Sequence, residues 1–151
     1  MKYFLLIAFC PFFFLISCKK KEKIPTKTEI LTQGKWKLAS ATAAGGLFDL
    51  MSSIKDCQKD NTFTFNNNKS ITVDEGNAKC KETDPQTITD GTWNIFNNDT
   101  KMSISGDKIT AGFGNLTGDV VSIEATSFQI KKDTLVSGFQ TSAIITFNNV
   151  K

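Results

Sequence analysis

The sequence predicts an all-β fold, a small antiparallel up-and-down barrel of about eight strands with one short helix after the first strand. Apolar and polar residues alternate in short segments along most of the chain after residue 28, which is typical of half-buried strands. Asn, Asp and Gly cluster between these segments and tolerate the backbone of tight hairpin turns. Closure into a barrel leaves a sheet without exposed edges, and a two-sheet sandwich is the alternative.

Nine short segments carry the alternation, and each is predicted to be a strand with two apolar residues on one face. In chain order these residues are Trp36 and Leu38, Phe63 and Phe65, Ile71 and Val73, Trp93 and Ile95, Met102 and Ile104, Ile109 and Ala111, Val121 and Ile123, Phe128 and Ile130, and Ile145 and Phe147. The glycine-rich residues 112–119 are either a bulged strand or a loop. Gly138 is predicted to interrupt the run after Lys132 in the same way.

One segment departs from this alternation. Leu47, Leu50, Met51 and Ile54 recur at helical spacing. The segment from Leu47 to Lys55 is therefore predicted to be the short helix that follows the first strand.

The N-terminal segment is typical of a bacterial lipoprotein signal. Its apolar run is too short for a transmembrane helix because Lys19 ends it. Residues 15–18, Leu-Ile-Ser-Cys, read as a lipobox: a branched apolar residue stands three before the cysteine and a small residue directly before it. We therefore predict a signal peptide over residues 1–17 and acylation of Cys18.

Residues 18–28 are predicted to be a lipidated tether, because they are rich in lysine and lack hydrophobic periodicity. The folded domain is predicted to span residues 29–151. In the bacterial lipoproteins that the N-terminal segment resembles, surface-export signals at this position are typically acidic, whereas this segment is basic. We therefore expect a protein of the cell envelope, anchored by its lipid to the outer membrane, facing the periplasm and monomeric.

The composition excludes several kinds of active site. All 18 residues counted as lysine or arginine are lysine, and the chain has no histidine. Without histidine there is no Ser-His-Asp or Cys-His relay and no imidazole metal site, and without arginine there is no bidentate clamp for phosphate. The formal net charge of +3 is too small to indicate a nucleic-acid partner. We therefore expect no enzymatic activity, no cofactor and no nucleic-acid binding.

Two groups of acidic residues lie in predicted turns. They are Asp56 with Asp60, and Asp74 with Glu75. Neither group has the number of oxygen ligands that a calcium site needs. We expect both groups to be solvated and predict no metal site.

Two cysteines, Cys57 and Cys80, lie in the predicted domain. In an oxidising compartment an isolated pair is expected to form a disulfide. The functional alternative is a redox-active pair, which usually has Cys-x-x-Cys spacing. A zinc site needs more ligands than two.

The stretch around these cysteines resembles a known family. It reads Asp-Cys-Gln-Lys-Asp-Asn-Thr-Phe-Thr-Phe over residues 56–65, Thr-Val-Asp-Glu-Gly over residues 72–76 and Lys-Cys at residues 79–80. Together with Gly-Lys-Trp at residues 34–36 and Gly-Thr-Trp at residues 91–93, it resembles bacterial lipoproteins of the lipocalin-like family. The resemblance covers roughly residues 30 to 105 and implies a barrel of unknown ligand, with the two cysteines paired.

In true lipocalins the tryptophan of the Gly-x-Trp strand packs against a basic residue near the last strand. The resemblance therefore implies a cation beside Trp36. Because the chain has no arginine, Lys131 and Lys132 are the candidates for this role.

Five aromatic residues point into the barrel by parity: Trp36, Phe65, Trp93, Phe128 and Phe147. They either fill the interior or line a cavity for one small ligand. The predicted function is that of a membrane-anchored, non-enzymatic binder of a small apolar or amphipathic ligand at these residues. The alternative is a protein-interaction or inhibitor module that acts through exposed loops such as residues 81–90 or 112–119.

Overall fold

A computed structural model describes residues 23–150. Within them, nine strands form one antiparallel sheet in the order β2-β1-β3-β4-β5-β6-β7-β8-β9. The strands are β1 Lys35–Ala43, β2 Phe48–Asp49, β3 Thr62–Phe65, β4 Ser70–Asp74, β5 Thr87–Phe96, β6 Lys101–Ser105, β7 Leu116–Ile123, β8 Ser127–Val136 and β9 Phe139–Asn149. The helices are α1 Lys27–Gln33, α2 Asp56–Lys59 and α3 Asp107–Thr110, and 3₁₀ turns lie at Ala44–Gly46 and Met51–Ser53.

The sheet closes on itself because β1 also pairs with β9, from Trp36 opposite Asn149 to Ala43 opposite Ala143. Eight strands, β1 and β3 to β9, form the closed barrel, and the two-residue strand β2 pairs only with the end of β1. The predicted eight-stranded antiparallel barrel is confirmed. Eight of the nine predicted segments are strands, because period-two alternation places one apolar face inside.

β7 contains an irregularity that changes which valine faces inward. The register between β7 and β8 shifts between Val120 and Ser122, as in a bulge. Val120 therefore packs against the core, while Val121, predicted to share a face with Ile123, is 49 % exposed. The stretch 112–119, predicted to be either a bulged strand or a loop, is both: residues 116–119 belong to β7 and residues 112–115 are loop.

The hairpin between β8 and β9 turns at Ser137 and Gly138, which both have positive φ. Two such residues are typical of a tight type I′ hairpin. β8 therefore continues past Lys132 to Val136, and Gly138 turns the chain instead of interrupting the strand.

The predicted helix from Leu47 to Lys55 is wrong. The Asp49 side chain accepts a hydrogen bond from the backbone of Met51 at 2.8 Å, and the Ser52 hydroxyl donates one to the Asp49 carbonyl at 3.1 Å. Such local bonds compete with helix formation. The segment instead forms β2 and a 3₁₀ turn, and Leu47 is 83 % exposed.

The predicted strand at Ile109 and Ala111 is also wrong, because this segment belongs to α3 and the residue that ends it. The backbone and hydroxyl of Thr110 both donate to the carbonyl of Gly106, at 3.1 and 2.8 Å, which closes a helical turn. Asp90 accepts a bond from the backbone of Lys108 at 2.7 Å. Ile109 and Ala111 are still buried. The alternation therefore predicted the burial of these side chains correctly and their backbone conformation incorrectly.

Helix α1 precedes the first strand and was not predicted. Thr26 caps it: its hydroxyl accepts from the backbone of Glu29 at 3.1 Å, and the Glu29 carboxylate accepts from the backbone of Thr26 at 2.7 Å. This is a capping box. The helix includes the last two residues assigned to the tether, and it buries Leu31.

We expect Thr26→Ala to lower the free energy of unfolding by about 1 kcal/mol, because the helix loses its side-chain cap. Urea unfolding followed by circular dichroism measures the change. Thr28→Ala, inside the same helix, is the matched control and is expected to be neutral or slightly stabilising because alanine is the better helix former. Equal losses in both variants would contradict the capping role.

The barrel has two unlike ends. At the first, which we call the α1 end, lie helix α1 and the short turns after β3, β5 and β7; Lys27 of the helix donates to the carbonyl of Asp99 at 2.7 Å. At the second, which we call the loop end, lie residues 44–61, 75–86 and 106–115 and the β8–β9 hairpin. The longer connections of the fold are therefore gathered at the loop end.

Candidate functional site

The five aromatic residues predicted to contact a ligand lie together inside the barrel, and all are buried. Phe128 is stacked on Phe147 at 4.6 Å between ring centroids and meets the edge of Trp36 at 5.0 Å. Phe65 contacts both Phe128 and Trp93, at 5.6 and 5.5 Å. The rings pack against one another at ordinary aromatic distances. A molecule in contact with them would have to displace this packing, and their role in ligand binding stays a prediction.

The expected lysine beside Trp36 is not Lys131 or Lys132. The Trp36 indole donates to the carbonyl of Leu31 at 2.8 Å, at the α1 end. Lys132 donates to the carbonyls of Phe113 and Asn115, at 3.1 and 2.8 Å, and these residues belong to the loop end. The reason is register, because Lys132 stands opposite Ala143, far along β9 from the partner of Trp36.

A lysine does stack on the other tryptophan. The ammonium of Lys69 lies 3.9 Å from the centre of the Trp93 ring, a cation–π contact. The Trp93 indole donates to the carbonyl of Asn66 at 3.1 Å. The turn after β3 is thereby held against β5. The lysine contact is thus made by the tryptophan of the Gly-Thr-Trp segment and not by that of the Gly-Lys-Trp segment.

The loop end carries a groove, which we call the loop-end groove. It consists of two adjoining depressions of about 430 and 500 Å³ that share Lys55, Gln58 and Asp107 as lining residues. Residues 53–58, 80–84 and 107–114 supply its walls. Three lysines and two aspartates line it, beside the small residues Ala111, Gly112 and Gly114.

A buried acid lies next to this groove. Glu75 is 0 % exposed, and the ammonium of Lys108 lies 2.6 Å from its Oε1 and 2.9 Å from Oδ2 of Asp84. Glu75 was expected to be solvated in a turn, and this expectation is wrong because Lys108 of α3 pairs with it from a distant part of the chain. Within residues 23–150, Oε2 of Glu75 has no hydrogen-bond partner.

The ion pairs shift two pKa values in opposite directions. Hydrogen bonds from the Lys108 ammonium to Asp84 and Glu75 raise the pKa of Lys108 above its ordinary value of 10.5. The same ammonium, with smaller contributions from Lys81 and Lys79, lowers the pKa of Asp84 below its ordinary value of 3.8. At neutral pH, Lys108 and Asp84 are therefore both charged and hold each other in place.

The predicted disulfide between Cys57 and Cys80 is present, and their Cα atoms lie 5.1 Å apart. It joins α2 to the connection between β4 and β5. The carboxylate of Asp60 supports the same junction, because its Oδ2 accepts from the backbones of Asn77 and Ala78 at 2.7 and 3.1 Å. Two walls of the loop-end groove are thus covalently connected.

We expect Lys108→Gln to destabilise the fold by about 2 kcal/mol at pH 7, because it leaves a buried carboxylate without a cation. The contribution of Asp84 is present above its ordinary pKa of 3.8 and is lost as the pH falls further. That of Lys108 is present below 10.5 and is lost as the pH rises beyond it. Urea unfolding at pH 7 and at about pH 3 should show a smaller difference between wild type and variant at the acidic pH.

Lys101→Gln is the matched control, because Lys101 pairs with Asp119 at 2.5 Å with both side chains well exposed. Its loss is expected to stay below about 1 kcal/mol at either pH. If the two variants lose the same stability, Lys108 does not act as the counter-ion of a buried acid.

Two further properties of residues 23–150 bear on the site. This part of the chain contains no helix of the length and hydrophobicity required to span a membrane. In the same residues, no three or more His, Cys, Asp or Glu side chains are grouped as for a metal ion. The predicted signal peptide, the lipidation site Cys18 and most of the predicted tether lie outside the described residues.

Residues 32–137 match the family model described as a lipocalin-like domain. No curated protein matches the chain. Among solved structures, the chain is similar to bovine odorant-binding protein in complex with a selenium-containing odorant, at 12 % identity and a TM-score of 0.45. That alignment covers 87 % of this chain and 78 % of the bovine chain.

Proposed function

The chain belongs to the lipocalin-like domain family, and from this premise we propose that it is a membrane-anchored, non-enzymatic protein that binds a small amphipathic ligand in the loop-end groove. The fold of the family suggests small-ligand binding. The observation that carries the proposal is the position of this groove above a barrel whose centre is filled by aromatic rings. Its two depressions, of about 430 and 500 Å³, are of the size that small molecules occupy.

The groove supports an amphipathic rather than a purely apolar ligand. Lysine and aspartate side chains line one part of it, whereas another part is lined by the small, uncharged residues Ala111, Gly112 and Gly114. A ligand with a polar head and a short apolar part would contact both. This differs from a ligand enclosed among the five aromatic rings.

The charged side chains of the groove favour a binding site over a catalytic one. General acid–base catalysis at neutral pH works best with a group whose pKa lies near 7. The pKa of Lys108 is raised and that of Asp84 is lowered, so each moves away from that range. Neither side chain is suited to transfer a proton.

Anchoring is proposed through acylation of Cys18. Two or three acyl chains would hold the protein stably on a membrane, and the nine residue steps from Cys18 to Lys27 span at most about 30 Å. Because Lys27 begins α1, the tether would leave from the α1 end. The groove would then face away from the outer membrane, into the periplasm, on a monomeric protein.

The groove is tested by blocking it. We expect native mass spectrometry of the full chain, purified gently from envelope extract, to show a bound small molecule that Gln58→Trp abolishes, because Gln58 lines both depressions. Gln129→Trp is the matched control, since Gln129 lines a separate depression with Ser40, Thr42 and Thr146. A ligand that survives in both variants, or that is lost in both, would contradict binding in the groove.

Anchoring is tested separately by metabolic labelling with palmitate. We expect the full chain to take up the label and the Cys18→Ala variant to lose it and leave the membrane fraction. An unlabelled wild-type protein, or a variant that stays in the membrane fraction, would contradict the anchor and leave the groove unaffected.

An interaction module is the second candidate, and the β8–β9 hairpin favours it. Leu135 is 69 % exposed and Phe139 is 78 % exposed near the tip of that hairpin. Burial of these apolar side chains against a partner would be favourable. A photo-crosslinking residue at position 139 should then capture one protein repeatedly in intact cells, whereas the same residue at position 101, on β6, should not. Equal labelling at both positions would count against this candidate.

A further inference from the structure

Two lysines from distant parts of the chain stand on the same groove because the disulfide brings them there. Lys55 lies two residues before Cys57, and Lys81 directly follows Cys80. Both lysines line the 500 Å³ depression of the loop-end groove together with Cys80. The bond between the cysteines, whose Cα atoms lie 5.1 Å apart, therefore holds the backbone of both lysines beside one concave surface.

The other lysines in or beside the groove already have hydrogen-bond or ion-pair partners within the protein. Lys108 is paired with Glu75 at 2.6 Å and with Asp84 at 2.9 Å. Lys79 donates to the carbonyl of Asp84 at 2.8 Å. Within residues 23–150, neither Lys55 nor Lys81 takes part in an ion pair, and the field of Lys81 helps to lower the pKa of Asp84.

One further carboxylate lines the groove, that of Asp107. Counted over the lining side chains alone, three lysines exceed two aspartates by one positive charge. Lys108 is held between two carboxylates, so the positive charge open to a ligand belongs to Lys55 and Lys81. Lysine recognises an anion as a point charge with three rotatable donors and imposes no planar geometry. The groove is thus suited to a single anionic group of varied shape.

Room for the rest of such a ligand lies on the side of the groove formed by α3 and the loop after it. A methyl group built on Gly112 or Gly114 would meet nothing within 4 Å. That side is left open by the small residues Ala111, Gly112 and Gly114, next to Lys55. A short apolar chain could lie there while its head stays at the lysines.

We infer that Lys55 and Lys81, held by the Cys57–Cys80 disulfide, form an anion subsite that binds the negatively charged head group of the amphipathic ligand. The inference rests on the proposed function and adds the charge of the ligand to it. The head group is a carboxylate, phosphate or sulfate.

Five probes with the same eight-carbon tail test it: octanoate, octyl phosphate, octyl sulfate, octyltrimethylammonium and octyl glucoside. Isothermal titration calorimetry on the full chain, below the micelle concentration of each probe, measures their affinities. At least one anionic probe should bind roughly tenfold more tightly than octyl glucoside, since two exposed charge contacts together contribute about that factor. The rank among the three anionic probes identifies the head group.

The double variant Lys55→Gln/Lys81→Gln should lose roughly tenfold in affinity for the best anionic probe and keep its affinity for octyl glucoside. The control Lys37→Gln/Lys131→Gln removes the same charge from positions that do not line the loop-end groove and should leave both affinities unchanged. An equal loss in the two double variants would show a general charge effect and overturn the subsite.

The remaining outcomes separate the subsite from the proposed function. If all five probes bind equally well and Gln58→Trp abolishes their binding, the groove binds amphiphiles and the anion subsite is refuted. If octyltrimethylammonium binds most tightly, the sign of the proposed charge is wrong. If no probe binds, the proposed function and the subsite fail together.

Discussion

Replacing Phe128 by alanine is expected to lower the free energy of unfolding by about 4 kcal/mol. Phe128 is 0 % exposed and contacts Trp36, Phe65 and Phe147 at 5.0, 5.6 and 4.6 Å between ring centroids. The substitution leaves a cavity among rings that cannot collapse into it without losing their own contacts. Guanidinium unfolding followed by tryptophan fluorescence measures the change.

Phe139→Ala is the matched control, because the same side chain is removed from a position that is 78 % exposed. Its effect should stay within about 0.5 kcal/mol. Should Phe128→Ala fail to fold, Phe128→Leu is expected to fold with a smaller loss of about 1 to 2 kcal/mol. Similar stabilities of Phe128→Ala and Phe139→Ala would mean that the centre of the barrel is not packed as described.

Removing the disulfide by Cys57→Ser/Cys80→Ser is expected to cost about 3 kcal/mol. The bond closes a segment with a sequence separation of 23 residues, and a closed loop of that size restricts the unfolded chain by about this amount in the chain-entropy account. Urea unfolding with and without a reducing agent measures it. Reduction should bring the wild type to the stability of the double variant.

The double variant supplies its own control, since a reducing agent should not change its stability. If reduction weakens both proteins equally, the reagent acts elsewhere. If it weakens neither, the bond contributes nothing to stability, and the covalent connection between the two groove walls would be energetically neutral.

The strands could be predicted from the sequence because alternation is a local property that reports one buried face. Trp36 and Leu38, for example, lie inside β1 as expected. The same signal misled at Ile109 and Ala111, where both residues are buried but one helical turn places them there. Two alternating residues are too few to distinguish a strand from a turn of helix.

The groove could be predicted only in part. The pairing of Cys57 with Cys80 followed from compartment and from family resemblance, and it brings Lys55 and Lys81 to one surface. The burial of Glu75 could not be foreseen, because its counter-ion Lys108 belongs to a helix that the sequence presented as a strand. The acidic pair Asp74 and Glu75 before the turn glycine is visible in the sequence, but the partner of Glu75 depends on tertiary packing.

The pairing of β1 with β9 joins opposite ends of the described chain, whereas neighbouring strands from β3 to β9 are consecutive in sequence. Contacts between distant residues form late, because closing a long loop costs more entropy than closing a hairpin. The β1–β9 pairing is therefore expected to form last during refolding. Until the final strand of 11 residues has paired with β1, the molecule is an open sheet. The unpaired backbone groups of its two edge strands can then form hydrogen bonds with another chain.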